Sequence, residues 1–345
     1  MASERERLVL GVVGAGMAAK PHALALNALK DRIEVRGVWR RDRTALDVFC
    51  AEYGFAPADS YEAMLSDPEL DAVLILTPPN AREDLVARAA AAGKHVLMEK
   101  PVERTTEAAE RIVETCEKAG VTLGIIFQHR FRAASMALAE KVASGELGAL
   151  HAVNLSVPWW RPQEGYYDKP GRGTFAQDGG GVLLTQAIHS LDLMLSLTGP
   201  VKSVTALAAT TGLHRMETED FVAGGMEFAN GAVGALMATT ANFPGGAESL
   251  TMNFGRASAT LTGGNLTLSW FDGRVETIGE ASSSGGGADP LAFPFDWHRD
   301  QIADFADAVK SGRQPVSTGR TALNVHRLVD ALIASSREGR KVSLG

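Results

Sequence analysis

The chain has 345 residues, 45% hydrophobic and 22% charged, an ordinary balance for a globular protein long enough for two domains. Acidic residues outnumber basic ones by 41 to 34, giving a net charge of −7 with no basic block, which argues against nucleic acid or an anionic membrane surface as a partner. Cys50 and Cys116 belong to no metal-ligand spacing, so neither a disulfide framework nor a bound metal is expected, and with no signal-like or membrane-length apolar run the expected compartment is the cytoplasm.

The first 128 residues alternate strands and helices. An apolar run at 8–14 reads as a strand buried on both faces, followed by a helix over 18–30. Between them, residues 14–19 spell GxGxxA. Gly14 permits the tight turn, Gly16 lets a pyrophosphate approach the backbone, and Met17 and Ala18 open a helix whose N–H groups favour the phosphate. The second strand, 33–39, ends in Trp39, Arg40, Arg41 and Asp42. A carboxylate at that edge would accept from a ribose 2′-OH. Two arginines instead suit a 2′-phosphate, and Trp39 can cover an adenine, so the cofactor is NADP or NAD with NADP favoured.

Further strands are expected at 71–79, 94–101 and 121–127, with intervening helices closing at Gly54, Gly93 and Gly120. Asn80 and Glu83 form a capping-box pattern for a helix over 81–92. The strand 94–101 ends in Glu99-Lys100-Pro101. In a parallel sheet ligands lie beyond the carboxyl ends of the strands, so Lys100 is aimed at cofactor and substrate, and Pro101 restricts its backbone. Gln128, which closes the last strand of this half, is a candidate for the nicotinamide region, and Arg130 for substrate or interdomain contact.

After that the rhythm changes, marking a second domain over 129–345. A helix at 133–144 and a strand at 149–157 precede an irregular loop, 158–178, rich in aromatics: Trp159, Trp160, Tyr166, Tyr167 and Phe175. With Arg161, Arg172 and Asp178 they suit a carbohydrate, whose C–H faces are apolar and whose edges are hydroxyls; packing is the alternative. Gly179, Gly180 and Gly181 suggest backbone approaching a ligand. They lead into a helix over 182–197 that is apolar on all sides but one, where Thr185, Gln186, His189 and Asp192 lie. A polar stripe on a buried helix needs partners: either substrate, or His189 and Asp192 paired with each other or the backbone. Strands at 201–209, 219–228, 231–241, 248–254, 257–262 and 265–271 imply a mostly antiparallel sheet. A flexible loop is expected at 281–289, and helices near 299–310 and 319–337 close the chain.

GxGxxA at 14–19, TPPN at 77–80, EKP at 99–101, GGG…H..D at 179–192 and the closing Gly339, Arg340 and Val342 together resemble the Gfo/Idh/MocA oxidoreductases. The resemblance spans nearly the whole chain. It implies an α/β protein: an N-terminal Rossmann domain with a doubly wound parallel sheet, and a C-terminal α/β domain with a mostly antiparallel open sheet used for homodimer or homotetramer contacts. It implies hydride transfer between nicotinamide and a carbon of a sugar, polyol or derivative, with cofactor contacts extending to Thr77, Pro78, Asn80 and Glu99. The family's catalytic Lys, Asp and His match Lys100, Thr185 and His189. Thr185 departs from that pattern and cannot act as a base. His189 is then the acid/base, Lys100 stabilises the reacting oxygen, and Thr185 and Gln186 orient the sugar beside Trp160, Tyr167, Arg172 and Asp178. The aromatic loop also resembles that of nucleotide-sugar 3-dehydrogenases, with Gly171 and Phe175 where that branch has tryptophans. An NAD-dependent glycoside hydrolase of the same fold, or a dinucleotide sensor without chemistry, are the alternative activities.

Overall fold

A computed structural model describes residues 6–16, 18–280 and 294–344, so Met17 and the loop expected at 281–289 lie outside the described residues. The chain forms two compact units, 1–128 with 295–323 and 129–294 with 324–345. The first division falls where the sequence rhythm changes, but the stretch 295–323 returns to the first unit.

The first unit runs β1 (Leu8–Val13), α1 (Ala19–Ala28), β2 (Ile33–Trp39), α2 (Arg43–Tyr53), the short α3 (Tyr61–Leu65), β3 (Ala72–Ile75), α4 (Arg82–Ala91), β4 (His95–Met98), α5 (Thr106–Lys118) and β5 (Leu123–Ile125). The strands make one parallel sheet in the order β2-β1-β3-β4-β5. Every residue of β1 and β3 is buried, as continuous apolar runs require when helices cover both faces. The strand order reverses direction from β1, so the crevice beyond the carboxyl ends of β1 and β3 is the switch point where such sheets bind ligands. The later helix Asp296–Ser311 joins this unit because Ile302, Phe305 and Ala306 complete its core. Gly124 in β5 makes room for the Phe305 ring, which stands 2.9 Å from where a Cβ would be.

The second unit contributes α6 (Ala133–Ala143), β6 (Leu150–Pro158), α7 (Val182–Thr185), α8 (Ile188–Thr198), β7 (Val201–Ala209), β8 (Phe221–Phe228), β9 (Val233–Thr239), β10 (Ser249–Phe254), β11 (Ala257–Thr262), β12 (Asn265–Trp270) and β13 (Val275–Ile278). After the helix Asp296–Ser311, here α9, come α10 (Gly319–Glu338) and β14 (Val342–Ser343). The nine strands form one sheet in the order β13-β12-β11-β10-β6-β9-β8-β7-β14. All its pairings are antiparallel except β6 with β9, so the mostly antiparallel expectation is met. Alternate residues point to one face and are buried there, among them Val153, Leu155, Leu236, Leu250 and Met252. No helix among the described residues is long and apolar enough to cross a membrane.

Two sequence expectations need correction. Asn80 does not cap α4: residues Pro79–Ala81 form a 3₁₀ turn, the cap position falls on Ala81, and no side chain caps it. Glu83 instead holds Arg111 at 2.6 and 3.1 Å. The helix expected over 182–197 is broken into α7 and α8. The Thr185 hydroxyl donates back to the Gly181 carbonyl at 2.6 Å, and Ala187 N reaches Val182 O, a five-residue step that unwinds the junction.

Candidate active site

In the first unit the site is built at the carboxyl ends of β1, β3 and β4. Gly14 follows β1 with φ 99°, and a Cβ there would stand 3.0 Å from the backbone of Leu76 and Thr77. Gly16 differs: a Cβ there would meet nothing within 4 Å. Its backbone therefore faces open space at the start of α1, whose N-terminus carries no side-chain cap at Ala18. Beside it the Thr77 Oγ1 is buried without a hydrogen-bond partner among the described residues, and so is Gln128 Oε1. A helix start without a side-chain cap, a glycine opening on space and stranded polar atoms fit a dinucleotide.

At the end of β2, Trp39 stacks on Tyr61 at 5.7 Å. Arg40 donates to the Ala15 carbonyl at 2.7 Å, so it braces the glycine turn, and Arg41 is exposed. The Asp42 carboxylate caps α2 through Ala45 N at 3.1 Å. That duty holds the one acid of this edge at the helix start. Pro78 and Asn80 are exposed beyond β3.

The EKP turn after β4 is tied in two directions, and the Lys100–Pro101 peptide is cis. Glu99 is buried: one carboxylate oxygen accepts from His22 Nε2 at 2.7 Å and the other from Lys100 N at 3.1 Å. His298, also buried, meets the His22 ring edge-on at 4.8 Å. Burial would raise the Glu99 pKa, but the His22 hydrogen bond and the His22 and Lys100 charges hold it well below the carboxylate range. Burial, with His22 adding to it, pushes the His298 imidazole down to about 3. These three side chains could converge on a cation. However, 2.7 Å is a hydrogen bond, closer than the roughly 3.3 Å between two tetrahedral ligands of one zinc ion. From the other side Arg82, the first residue of α4, donates to the carbonyls of Thr77, Glu99 and Pro101.

In the second unit the polar stripe of α7 and α8 is divided among different partners. Arg130 makes a bidentate pair with Asp192, both distances 2.6 Å, and Asp192 is fully buried. Burial pushes the Asp192 carboxyl up, with Arg130 opposing. Asp192 thus pairs with Arg130 rather than with His189. The buried His189 ring instead lies 5.0 Å from the His129 ring, at 32°. Arg132 stands 2.6 Å from His129 Nε2 and 2.6 Å from Glu248. A guanidinium only donates, so in this contact His129 Nε2 is the acceptor.

Thr185 Oγ1 contacts both Gly181 O and Gln186 Oε1, and Gln186 Nε2 donates to the Tyr166 hydroxyl at 2.9 Å. Arg161 and Arg172 lie over the Tyr166 ring at 5.6 and 5.3 Å. Asp178 accepts from Arg172 at 3.4 Å and from Gly173 N at 2.8 Å. Tyr167 is buried on Thr240 at 2.8 Å, whereas Trp160 is half-buried with the exposed Phe243 edge-on at 5.5 Å. The loop 158–178 is therefore an ordered aromatic and arginine shelf beside Gln186.

Gly181 has a cause other than a ligand. A Cβ on Gly181 would stand 1.8 Å from the Glu219 carbonyl oxygen. The Glu219 carboxylate caps α7, accepting from Gly181 N at 3.0 Å and Leu183 N at 3.2 Å. Sequence reasoning missed His22, Arg82, His129, Glu219 and His298. Arg82 alone left a local signal: a cation in the first turn of a helix opposes its dipole, so something else must hold it.

The model of the oxidoreductase family with NAD-binding Rossmann fold, GFO_IDH_MocA, matches residues 8–127, and that of the GFO/IDH/MocA C-terminal domain matches 135–263. The chain is 28% identical over 351 residues to a D-xylose 1-dehydrogenase (NADP(+)) of Haloferax volcanii, covering 98% of this chain and 100% of that one. It is 30% identical over 270 residues to 1,5-anhydro-D-fructose reductase of Ensifer adhaerens, covering 75% of each. The WlbA dehydrogenase of Bordetella pertussis, solved with NADH and UDP-GlcNAcA, superposes with a TM-score of 0.82 at 28% identity over 98% of this chain and 99% of that one. The chain belongs to the GFO/IDH/MocA family of NAD(P)-binding oxidoreductases.

Proposed function

We propose that the protein transfers a hydride between a nicotinamide dinucleotide and a carbinol carbon of a sugar or polyol. The reading is supported above all by Lys100 lying at the same edge of one parallel sheet as the open Gly16 turn. The dinucleotide supplies the hydride acceptor or donor, and the chain supplies position, charge and a proton path. Lys100 hydrogen-bonds the reacting oxygen and stabilises its developing charge. His189 takes the hydroxyl proton on oxidation and returns it on reduction. Thr185 is a hydrogen-bonding group only, and with Gln186, Trp160, Arg172 and Asp178 it orients the sugar. NADP is favoured, since Asp42 is committed to capping α2 while Arg41 is exposed at the same edge.

The test follows the absorbance of reduced nicotinamide against aldoses, anhydro-sugars, glycosides, inositols and UDP-sugars, in both directions and with both dinucleotides. At least one sugar is expected to support turnover. Lys100→Met and His189→Ala should each lower kcat by roughly 10²–10⁴-fold. Arg41→Ala should raise the KM for NADP by about tenfold or more and leave that for NAD nearly unchanged. Unaltered turnover in Lys100→Met or His189→Ala would remove that residue from the mechanism.

A further inference from the structure

Arg82 is 2% exposed, yet among the described residues none of its hydrogen bonds goes to a carboxylate. Nε and Nη2 donate to Thr77 O at 2.9 and 2.7 Å, Nη1 donates to the carbonyls of Glu99 and Pro101, and Nη2 lies 3.5 Å from Lys100 O. Burial pushes its pKa down to about 10, with the charges of Glu99 and Glu103 opposing. A buried cation whose hydrogen bonds all go to carbonyl groups is expensive, and an apolar side chain would fill the same space without that cost. Its carbonyl partners are spread over two separate turns, the one after β3 and the one after β4, with Lys100 in the middle of the second. Only a planar fork with five donors reaches all of them at once; a lysine nitrogen is a single point.

We propose that Arg82 is a positioning residue for Lys100: it ties the turn at Thr77 to the turn at 99–101 and so fixes the backbone from which the Lys100 side chain projects. The catalytic consequence rests on the reading of Lys100 given above; the mechanical one does not.

Two measurements on the full chain test it. The first is a double-mutant cycle on kcat. Arg82→Lys keeps the charge and loses the fork, and is expected to lower kcat at least about tenfold in the native background and less than about threefold in a Lys100→Met background. Equal losses in both backgrounds would reduce Arg82 to a purely structural role and overturn the proposal. The second is amide hydrogen exchange. Residues 99–103 should exchange at least about tenfold faster in Arg82→Lys, while β1 is unchanged. Unchanged exchange at 99–103 overturns the proposal whatever the activity. Should Lys100→Met prove fully active, the catalytic reading of Lys100 falls, and the exchange experiment alone decides the tie. If Arg82→Lys does not fold, as judged by thermal midpoint, Arg82→Gln carries both measurements.

Discussion

At the scale of the single residue, the buried group His22, Glu99 and His298 carries a pH signature. The His298 imidazole is pushed down to about 3 in the folded chain against an ordinary 6.5, because it is buried and faces His22 and Lys100, with Glu99 opposing. Between those values the unfolded chain binds a proton that the native chain does not. Stability is therefore fully present above about 6.5 and is lost as pH falls toward 3, and one proton sets a ceiling of about 1.4 kcal/mol per pH unit. Glu99 acts in the same direction only further down, since its depressed pKa contributes stability that is lost below the ordinary carboxylate value. Urea midpoints between pH 7.5 and 5.5 separate the buried imidazoles, His298 and the likewise depressed His95, from the carboxylates. The native chain should lose about 1 kcal/mol over that interval, and His298→Gln should lose visibly less. Identical slopes in the two proteins would show that His298 does not carry the effect.

At the scale of the element, the junction before α7 is specified by contact. Gly181→Ala would drive a methyl group into the Glu219 backbone, which cannot rotate away as a side chain would. The expected destabilisation is about 3 kcal/mol, read from the denaturation midpoint; a shift under about 0.5 kcal/mol would mean that the segment leading into β8 yields. This junction also marks where sequence reading stops. The strands β1, β2 and β3 and the GxGxxA turn were legible because apolar runs and a glycine pattern are local signals. So was the placement of Lys100 after β4. The break at Gln186 was not, since it depends on a Thr185 hydroxyl choosing the Gly181 carbonyl over solvent. The cause of Gly181 lies 38 residues away at Glu219, and the partners of Glu99 and Asp192 are remote in sequence too. Each polar residue announced that it needed a partner, but not which one.

At the scale of the whole molecule, the nine-stranded sheet raises the question of what covers its second face. Residues directly opposite one another across seven strands are Thr205, Gly225, Ala235, Asn154, Thr251, Thr260 and Thr267. All are exposed or half-buried, all are small, and none is charged. Leu207 and Val233 are exposed on the same sheet at 61% and 55%. A solvated sheet face ordinarily alternates charged side chains, which also block unwanted pairing. Six inter-strand steps of about 4.8 Å make a flat strip roughly 29 Å wide, broad enough to contribute most of the roughly 800 Å² per partner of a standard interface. A second copy of the chain, meeting it face to face about a two-fold axis, would cover the strip with no need for complementary charge. We therefore predict a homodimer, or a homotetramer built from such pairs, by light scattering at micromolar concentration. Ala235→Glu places a charge at the centre of the strip and, beside its own symmetry mate or against an uncharged surface, should shift the population to monomer without lowering the thermal midpoint of the isolated fold. A native chain that scatters as a monomer would leave this strip to solvent and require another reason for the lack of charge along its seven residues.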